Sequence, residues 1–344
     1  MAIRFFFILT GFILCIKGST QTLGGNAVYN FLKLPATPLL TATGGVNASY
    51  KTGEVGFSSN NPSLLNESLH SQMNVSFNSF LGGIKTYALT GAYHYNKYKT
   101  TFGGQLYFVD YGSLPQTDAA GNVMGEFRPV DFVFQLSAGK QYTDKISYGA
   151  SLKFINSNYG QYRSSAIALD AGVHFSDTSK GFSAGLLIKN MGTQLKTYAG
   201  EGEDLPFDLQ VGITKKLAKA PLGFSLTAQH LQRFDIFYND TLFNNENSLT
   251  SNNNFINKLM NHLVVATHIY AGSHLEATIG YNRLRRSELN IGTSGNGLNG
   301  FSLGLRVMFQ KLQVLFARSS YQKNVTYNQL GITIHLNRLL GKEL

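Results

Sequence analysis

The chain has 344 residues, a formal charge of +10, 36 glycines and only 14% charged residues; a typical soluble domain carries roughly 25%, so an ordinary charge-coated globule is excluded. A mean hydropathy of -0.08 excludes a bundle of transmembrane helices. Low charge, 12% aromatics and middling hydropathy fit a transmembrane β-barrel, where apolar and polar residues alternate and average out.

Residues 1–20 read as a signal peptide. Arg4 supplies the positive start, and "FFFILTGFILCI" supplies an apolar core that is too short to span a bilayer. Gly18 and Thr20 are the small residues that place cleavage before Gln21. The sole cysteine, Cys15, lies inside this core behind Leu14, which is larger than the residue a lipoprotein signal carries there. Lipidation is therefore the lesser reading. Arg4 and Lys17 leave with the signal, so the formal charge falls from +10 to +8 and no thiol remains.

Residues 21–70 contain "GGNAVYNFLKLPATPLLTATGG", an apolar stretch bracketed by glycine pairs and broken by Pro35 and Pro38. It cannot face lipid, because its prolines leave carbonyls without helical partners. A barrel of about fourteen strands is too wide for strand side chains alone to fill. The stretch is expected inside it as a plug of short helices, at 27–34 and 39–43, burying Tyr29, Phe31, Leu32, Leu34 and Pro35. The alternative is a flexible periplasmic lead segment, against which the apolar content argues.

From residue 71 to 338 the pattern is period-two alternation. Ile167, Leu169, Ala171, Val173 and Phe175 share one face, and Asp170, Gly172 and His174 the other. Phe207, Leu209, Val211 and Ile213 repeat the pattern, as do Phe301, Leu303, Leu305, Val307 and Phe309, and then Leu330, Ile332, Ile334 and Leu336. A soluble sandwich can alternate in the same way. The connections decide between the two. About fourteen segments are joined by odd-numbered connections near 81–85, 111–128, 157–163, 190–206, 237–257, 283–300 and 321–325. The even-numbered ones lie near 96–100, 142–145, 177–180, 215–222, 271–274 and 309–312. Every long connection is odd. A barrel with both termini in the periplasm sorts its loops in this way, long outside and short inside. With no Trp, the interfacial rings must come from the 18 tyrosines. Tyr87, Tyr95, Tyr98, Tyr107, Tyr111, Tyr142, Tyr148, Tyr159 and Tyr162 lie near expected strand ends, although tyrosine also favours strands for its own sake. Residues 339–344 form a periplasmic tail.

Motifs that suggest chemistry are weak. Gly181-Phe-Ser183-Ala-Gly185 matches a nucleophile elbow, but Ser183 sits early in an alternating strand with no helix to follow. Gly295-Asn-Gly297-Leu-Asn-Gly300 matches a dinucleotide fingerprint, but a strand follows where a helix is required. His268, His274 and Glu276 flank one short turn, and a metal site needs further ligands. No metal and no cofactor are expected. Arg283, Arg285 and Arg286 at an external loop, and the lysines of "TKKLAKAP" in a periplasmic turn, suit lipopolysaccharide phosphates or plain solubility equally. Nucleic acid binding is not expected, because the charge is scattered and no reading module is present. "DTLFNNENSLTSNNNFIN", at 240–257, reads as a mobile Asn-rich loop.

The opening stretch, "NNPSLLN" at 60–66, "VDYGSLPQTDAAGNVMGEF" at 109–127, "IKNMGTQLKTY" at 188–198 and "LPFDLQVGITKKLAKAPLGFSLTAQHL" at 205–231 together resemble the PorQ family of the type IX secretion system. The resemblance runs in order over most of the mature chain and weakens to strand rhythm after about 235. It implies a barrel of the long-chain fatty acid transporter type with an N-terminal hatch. It also implies a non-catalytic role as outer-membrane anchor of the attachment complex, which processes secreted cargo and joins it to lipopolysaccharide. The implied partner is the surface protein PorZ, with PorU and PorV in the same assembly. No catalytic residue carries over. One departure is the chain end "NRLLGKEL", where a terminal aromatic is expected. For docking, the long loops offer Asp118, Asn122, Glu126, Phe127, Glu201, Arg283, Arg285 and Arg286. The alternative function is an outer-membrane transporter of hydrophobic small molecules, which needs an opening beside the plug where an anchor can be sealed.

Overall fold

The computed structural model describes residues 27–236, 254–289, 297–323 and 325–341. The expected signal peptide, the first residues of the expected plug and most of the Asn-rich loop lie outside them. The described chain forms a closed antiparallel β-barrel of fourteen strands. In chain order its strands are β1 (Gln72–Ser79), β2 (Lys85–Tyr95), β3 (Thr100–Asp110), β6 (Val130–Gln141), β7 (Ile146–Tyr159), β8 (Tyr162–Asp177), β9 (Phe182–Lys196), β10 (Asp208–Lys216), β11 (Leu222–Ala228), β12 (Leu263–Ala271), β13 (Leu275–Asn282), β14 (Phe301–Met308), β15 (Leu312–Gln322) and β16 (Val325–His335). A separate two-stranded hairpin, β4 (Leu114–Thr117) and β5 (Val123–Phe127), rises from the third connection. The barrel closes where β1 pairs with β16, Val75 opposite Ile332 and Phe77 opposite Leu330.

The burial pattern is that of a soluble protein turned inside out. Val75, Leu89, Leu106, Phe134, Phe154 and Ile167 stand side by side on six successive strands and are all exposed. Gln72, Asn74, Ser76 and Asn78 on the opposite face of β1 are buried. An apolar outer belt around a polar lumen is what a bilayer selects, since lipid replaces the core as the apolar phase and closure leaves no unpaired strand edge.

The connections follow the expected parity. The even ones span 96–99, 142–145, 178–181, 217–221, 272–274 and 309–311, while the odd ones include 111–129, 197–207, 229–262 and 283–300. Three details differ from expectation. The fifth connection is only residues 160–161, because β7 and β8 pair as far as Tyr159 and Tyr162. Strand β9 runs past Asn190 to Lys196, because the chain absorbs Asn190 in a bulge at φ 56 rather than turning; asparagine tolerates that left-handed conformation. The last strand ends at His335, one residue short of the expected Leu336, and a short helix, Leu336–Leu339, follows. Of the nine tyrosines assigned to the interface, Tyr87, Tyr95, Tyr98, Tyr142, Tyr148 and Tyr162 are exposed. Tyr107 is buried in the lumen, and Tyr111 and Tyr159 line a cavity, because their positions fall on the inward face.

Candidate functional site

The lumen is occupied by the chain's own N-terminal segment. It enters at the end of the odd connections, where the Val28 amide donates to the Asp204 carbonyl at 3.0 Å. It leaves at the opposite end, where the Ser71 carbonyl accepts from the Leu336 amide at 2.8 Å. Its regular pieces are a 3-10 turn at Asn30–Lys33, α1 (Pro38–Ala42), α2 (Val55–Ser58) and 3-10 turns at Pro62–Leu64 and Glu67–Leu69. The helix expected over 27–34 is thus one 3-10 turn, with Tyr29 before it at φ 55 and Pro35 behind it ending any continuation. Pro38 starts α1, where its missing N–H costs nothing. Glu54 caps α2, accepting from the amides of Gly56 and Phe57 at 2.8 and 2.7 Å.

Apolar contacts hold the outer part of the plug. Tyr29 bonds Ser164 and packs edge-on to Phe31, which stacks on Tyr107 with centroids 6.3 Å apart. Leu32 and Leu34 pack on the same cluster, against the inward-facing Val109, Val133 and Ile155. The buried Pro35 carbonyl accepts from the Tyr327 hydroxyl at 3.0 Å. Deeper in, polar bonds reach the wall around its circumference. Thr41 donates to Gln329 at 2.6 Å, Ser49 pairs with Thr214 at 2.8 Å, and Tyr50 donates to Glu276 at 2.5 Å. Gln105 donates to Ser59 at 2.8 Å, Lys189 to Asn60 at 2.6 Å and Ser147 to the Ser63 carbonyl at 2.7 Å. Each bond has a net worth of about 1 kcal/mol, and their spread over six strands resists displacement in any direction.

The wall admits the plug backbone through glycine. Gly139, Gly149 and Gly172 lie opposite one another on β6, β7 and β8. A Cβ at Gly139 would stand 2.6 Å from both Leu65 Cβ and the Pro62 carbonyl oxygen, and one at Gly149 would stand 2.5 Å from the Pro62 carbonyl carbon. On the far side Gly280 meets Thr43 in the same way, at 2.6 Å. The sequence reading places Gly172 on the polar face of its strand and singles out none of the other three. Inward glycines recurring at matched register are the signal that a backbone approaches.

Two ion pairs are buried in the lumen. Lys153 lies 2.5 Å from Asp170, and Lys153 also donates to Asn190 at 2.9 Å. Glu276 lies 3.3 Å from Arg306, whose guanidinium also donates to the Thr52 carbonyl at 3.2 Å. His268 is buried 3.5 Å from Glu276, but His274 is exposed on the turn, so the three do not converge. Among the described residues no three His, Cys, Asp or Glu side chains gather as metal ligands. Ser183 donates to the Ser49 carbonyl at 2.9 Å as a plug contact, within strand β9. Residues 297–300 of the glycine motif form the turn before β14, and its first residues lie outside the described set.

The loop residues separate into two groups. Asp118, Asn122 and Glu126 stand exposed on the β4–β5 hairpin. Asp118 closes that hairpin's turn, accepting from the amides of Ala120 and Asn122 and from the Asn122 side chain, each at 2.9 Å. Those bonds, the Asn122 side chain first, hold its carboxyl below the ordinary value. Glu126 accepts from Ser113 at 2.5 Å, and Phe127 is half-buried against Gly160. Glu201 is exposed. Arg283, Arg285 and Arg286 open the helix Arg283–Leu289 and are half-buried. Arg285 turns into the barrel, donating to the Gly44 carbonyl at 2.9 Å and to Ser319 at 2.5 Å over the Tyr321 ring. Arg286 donates to the Gly297 carbonyl at 3.1 Å. Arg285 is thereby a clamp on the plug, where the sequence had offered it to a partner.

Two cavities open at the end of the odd connections, of about 470 and 420 Å³. The first sets Lys33, Asp204, His230, Arg233 and Glu288 beside Met191, Leu205, Phe207, Ile236 and Leu284, so its lining mixes charged and apolar groups. In mid-lumen, beside Leu40 and Gly56, lies a much smaller cavity of about 50 Å³.

No protein-family model matches the chain, and no curated protein matches it in sequence. Among solved structures, the chain is similar in fold to the Pseudomonas putida toluene transporter TodX, with a TM-score of 0.53 at 11% identity over 92% of this chain and 98% of that one. It is similarly related to the monoaromatic hydrocarbon channel CymD, with a TM-score of 0.52 at 12% identity over 89% and 97%. At such identity the likeness concerns the fold, not the chemistry.

Proposed function

We propose that this chain is a sealed, non-catalytic outer-membrane barrel whose external loops hold a surface protein, in the manner the resemblance to the PorQ family implies. On this reading it anchors the attachment complex of the type IX secretion system, docks PorZ and stands beside PorU and PorV where cargo is joined to lipopolysaccharide. The observation that supports it most is the plug, bonded to the wall from β3 round to β16, with a cavity of about 50 Å³ beside it in mid-lumen. A cavity of about 150 Å³ is the scale that takes one benzene ring. The β4–β5 hairpin, with Val123 and Met124 largely exposed, is the docking element.

The second reading is a channel for hydrophobic small molecules, which the fold likeness to TodX and CymD favours. It requires the plug to move, since the mid-lumen cavity beside Leu40 and Gly56 is only about 50 Å³. Purification from the native outer membrane in mild detergent, with mass spectrometry of whatever remains bound, tests both. Stoichiometric PorZ supports the anchor. The barrel alone with an apolar small molecule retained would replace it with the channel.

A further inference from the structure

The smaller mouth cavity has a chemistry that neither reading uses. Its floor is Asp131, at the start of β6 and 1% exposed. Ser157 donates to one carboxylate oxygen, and the Tyr111 and Tyr159 hydroxyls donate to the other at 2.6 and 3.2 Å. Tyr198 in turn donates to Ser157 at 2.5 Å, so the hydroxyls hold the floor in place. The tyrosine rings form a continuous wall. Tyr111 and Tyr159 lie 5.6 Å apart, Tyr159 and Tyr198 6.0 Å, and Tyr198 and Tyr29 6.4 Å. Glu203 stands at the rim.

No Lys or Arg lines this cup, and Asp131 forms no ion pair among the described residues. Of the lumen's other buried carboxylates, Asp170 and Glu276 each have a cation beside them, while Glu54 is held by two helix amides and the Thr333 hydroxyl. A buried carboxylate costs least when a positive charge comes to it, and the faces of several tyrosines attract a cation further. A cup of about 420 Å³ is open enough to admit one from outside.

We propose that this cup binds an ammonium group, primary or quaternary, carried by a small organic molecule at the outer surface. The hydroxyl network fixes Asp131 as the counter-charge, and Tyr111, Tyr159 and Tyr198 enclose the cation. A neutral sugar would stack on the same rings but leave the carboxylate uncompensated. This inference does not depend on whether the barrel anchors or transports.

The test is calorimetric titration of the full mature chain in detergent with choline, against its neutral carbon isostere 3,3-dimethylbutan-1-ol. Saturable choline binding is expected, at least about tenfold tighter than the isostere. Asp131→Asn should remove that preference, and Tyr198→Leu should weaken choline by about tenfold, while Tyr142→Leu at the opposite end changes nothing. Heat-modifiable gel migration reports whether each variant folds. If Asp131→Asn does not fold, the native chain's preference for choline over its isostere, together with Tyr198→Leu, still decides. Absence of saturable choline binding in the millimolar range, equal affinity for the isostere, or undiminished binding in a folded Asp131→Asn chain would each overturn the proposal.

Discussion

Arg285, on an external helix, reaches 2.9 Å to the carbonyl of Gly44 in the middle of the plug. The same guanidinium holds Ser319 on β15 and lies 4.7 Å over the Tyr321 ring. One side chain thus ties an outer loop, the wall and the internal segment together. Arg285→Ala should loosen the plug without opening the barrel, since each charge-assisted bond lost is worth about 1.5–3 kcal/mol. In planar bilayers the variant should show current bursts that the parent lacks. A silent trace would mean the clamp does not hold the seal.

The inward glycines make a steric prediction. Gly149→Leu puts its Cβ on the Pro62 carbonyl and must displace the plug's Pro62–Leu64 turn or β7, at a cost above the about 1–3 kcal/mol of ordinary overpacking. Gly104→Ala, with nothing within 4 Å of its Cβ, is the matched control. Folding yield into lipid vesicles should fall for the first and not for the second.

The Lys153–Asp170 pair predicts a non-additive cycle. Asp170→Ala strands a buried lysine and should cost about 3–5 kcal/mol in urea unfolding from vesicles. Lys153→Met combined with Asp170→Leu removes both charges and should recover most of that loss. A double variant that costs the sum of the two single losses would show that the pair is not coupled.

Asp118 predicts how the docking hairpin responds to pH. Its hydrogen bonds, above all to Asn122, hold the carboxyl below its ordinary value of 3.8. The ionised form therefore favours the closed turn. That contribution is full above the ordinary carboxylate range and is lost as pH falls through the lower folded value. Protease cleavage between β4 and β5 should quicken on acidification, and Asp118→Ala should show the quickened rate at neutral pH as well. Partner capture should fall with it, because Asp118 shapes the loop that presents Val123 and Met124.

A lipid-facing substitution checks the membrane orientation. Leu152 is 52% exposed on the apolar side of β7. Leu152→Arg should cost about 2–4 kcal/mol in vesicle unfolding if that position lies near the bilayer midplane. Ser151→Arg would instead crowd the lumen beside Gln135 and Ser137. A negligible cost for Leu152→Arg would contradict the outer apolar belt.

The sequence by itself determined the barrel. Period-two alternation fixed which face of each strand meets lipid, and loop parity fixed the two ends, because both are local consequences of chain geometry and solvent. The apolar, proline-broken stretch before β1 announced an internal segment for the same reason: it could neither face lipid nor dissolve. What the tertiary structure decided was everything that depends on strands distant in sequence meeting across the lumen. It brought Gly139, Gly149 and Gly172 into register under the plug, sent Arg285 inward from a loop that looked external, and gathered Tyr29, Tyr111, Tyr159 and Tyr198 around Asp131. A tyrosine at a strand end reads the same whether it points to a headgroup or into the mouth of the barrel. Only the register and the closure of the cylinder choose between them, and both are set by pairings such as β1 with β16, more than 240 residues apart in the chain.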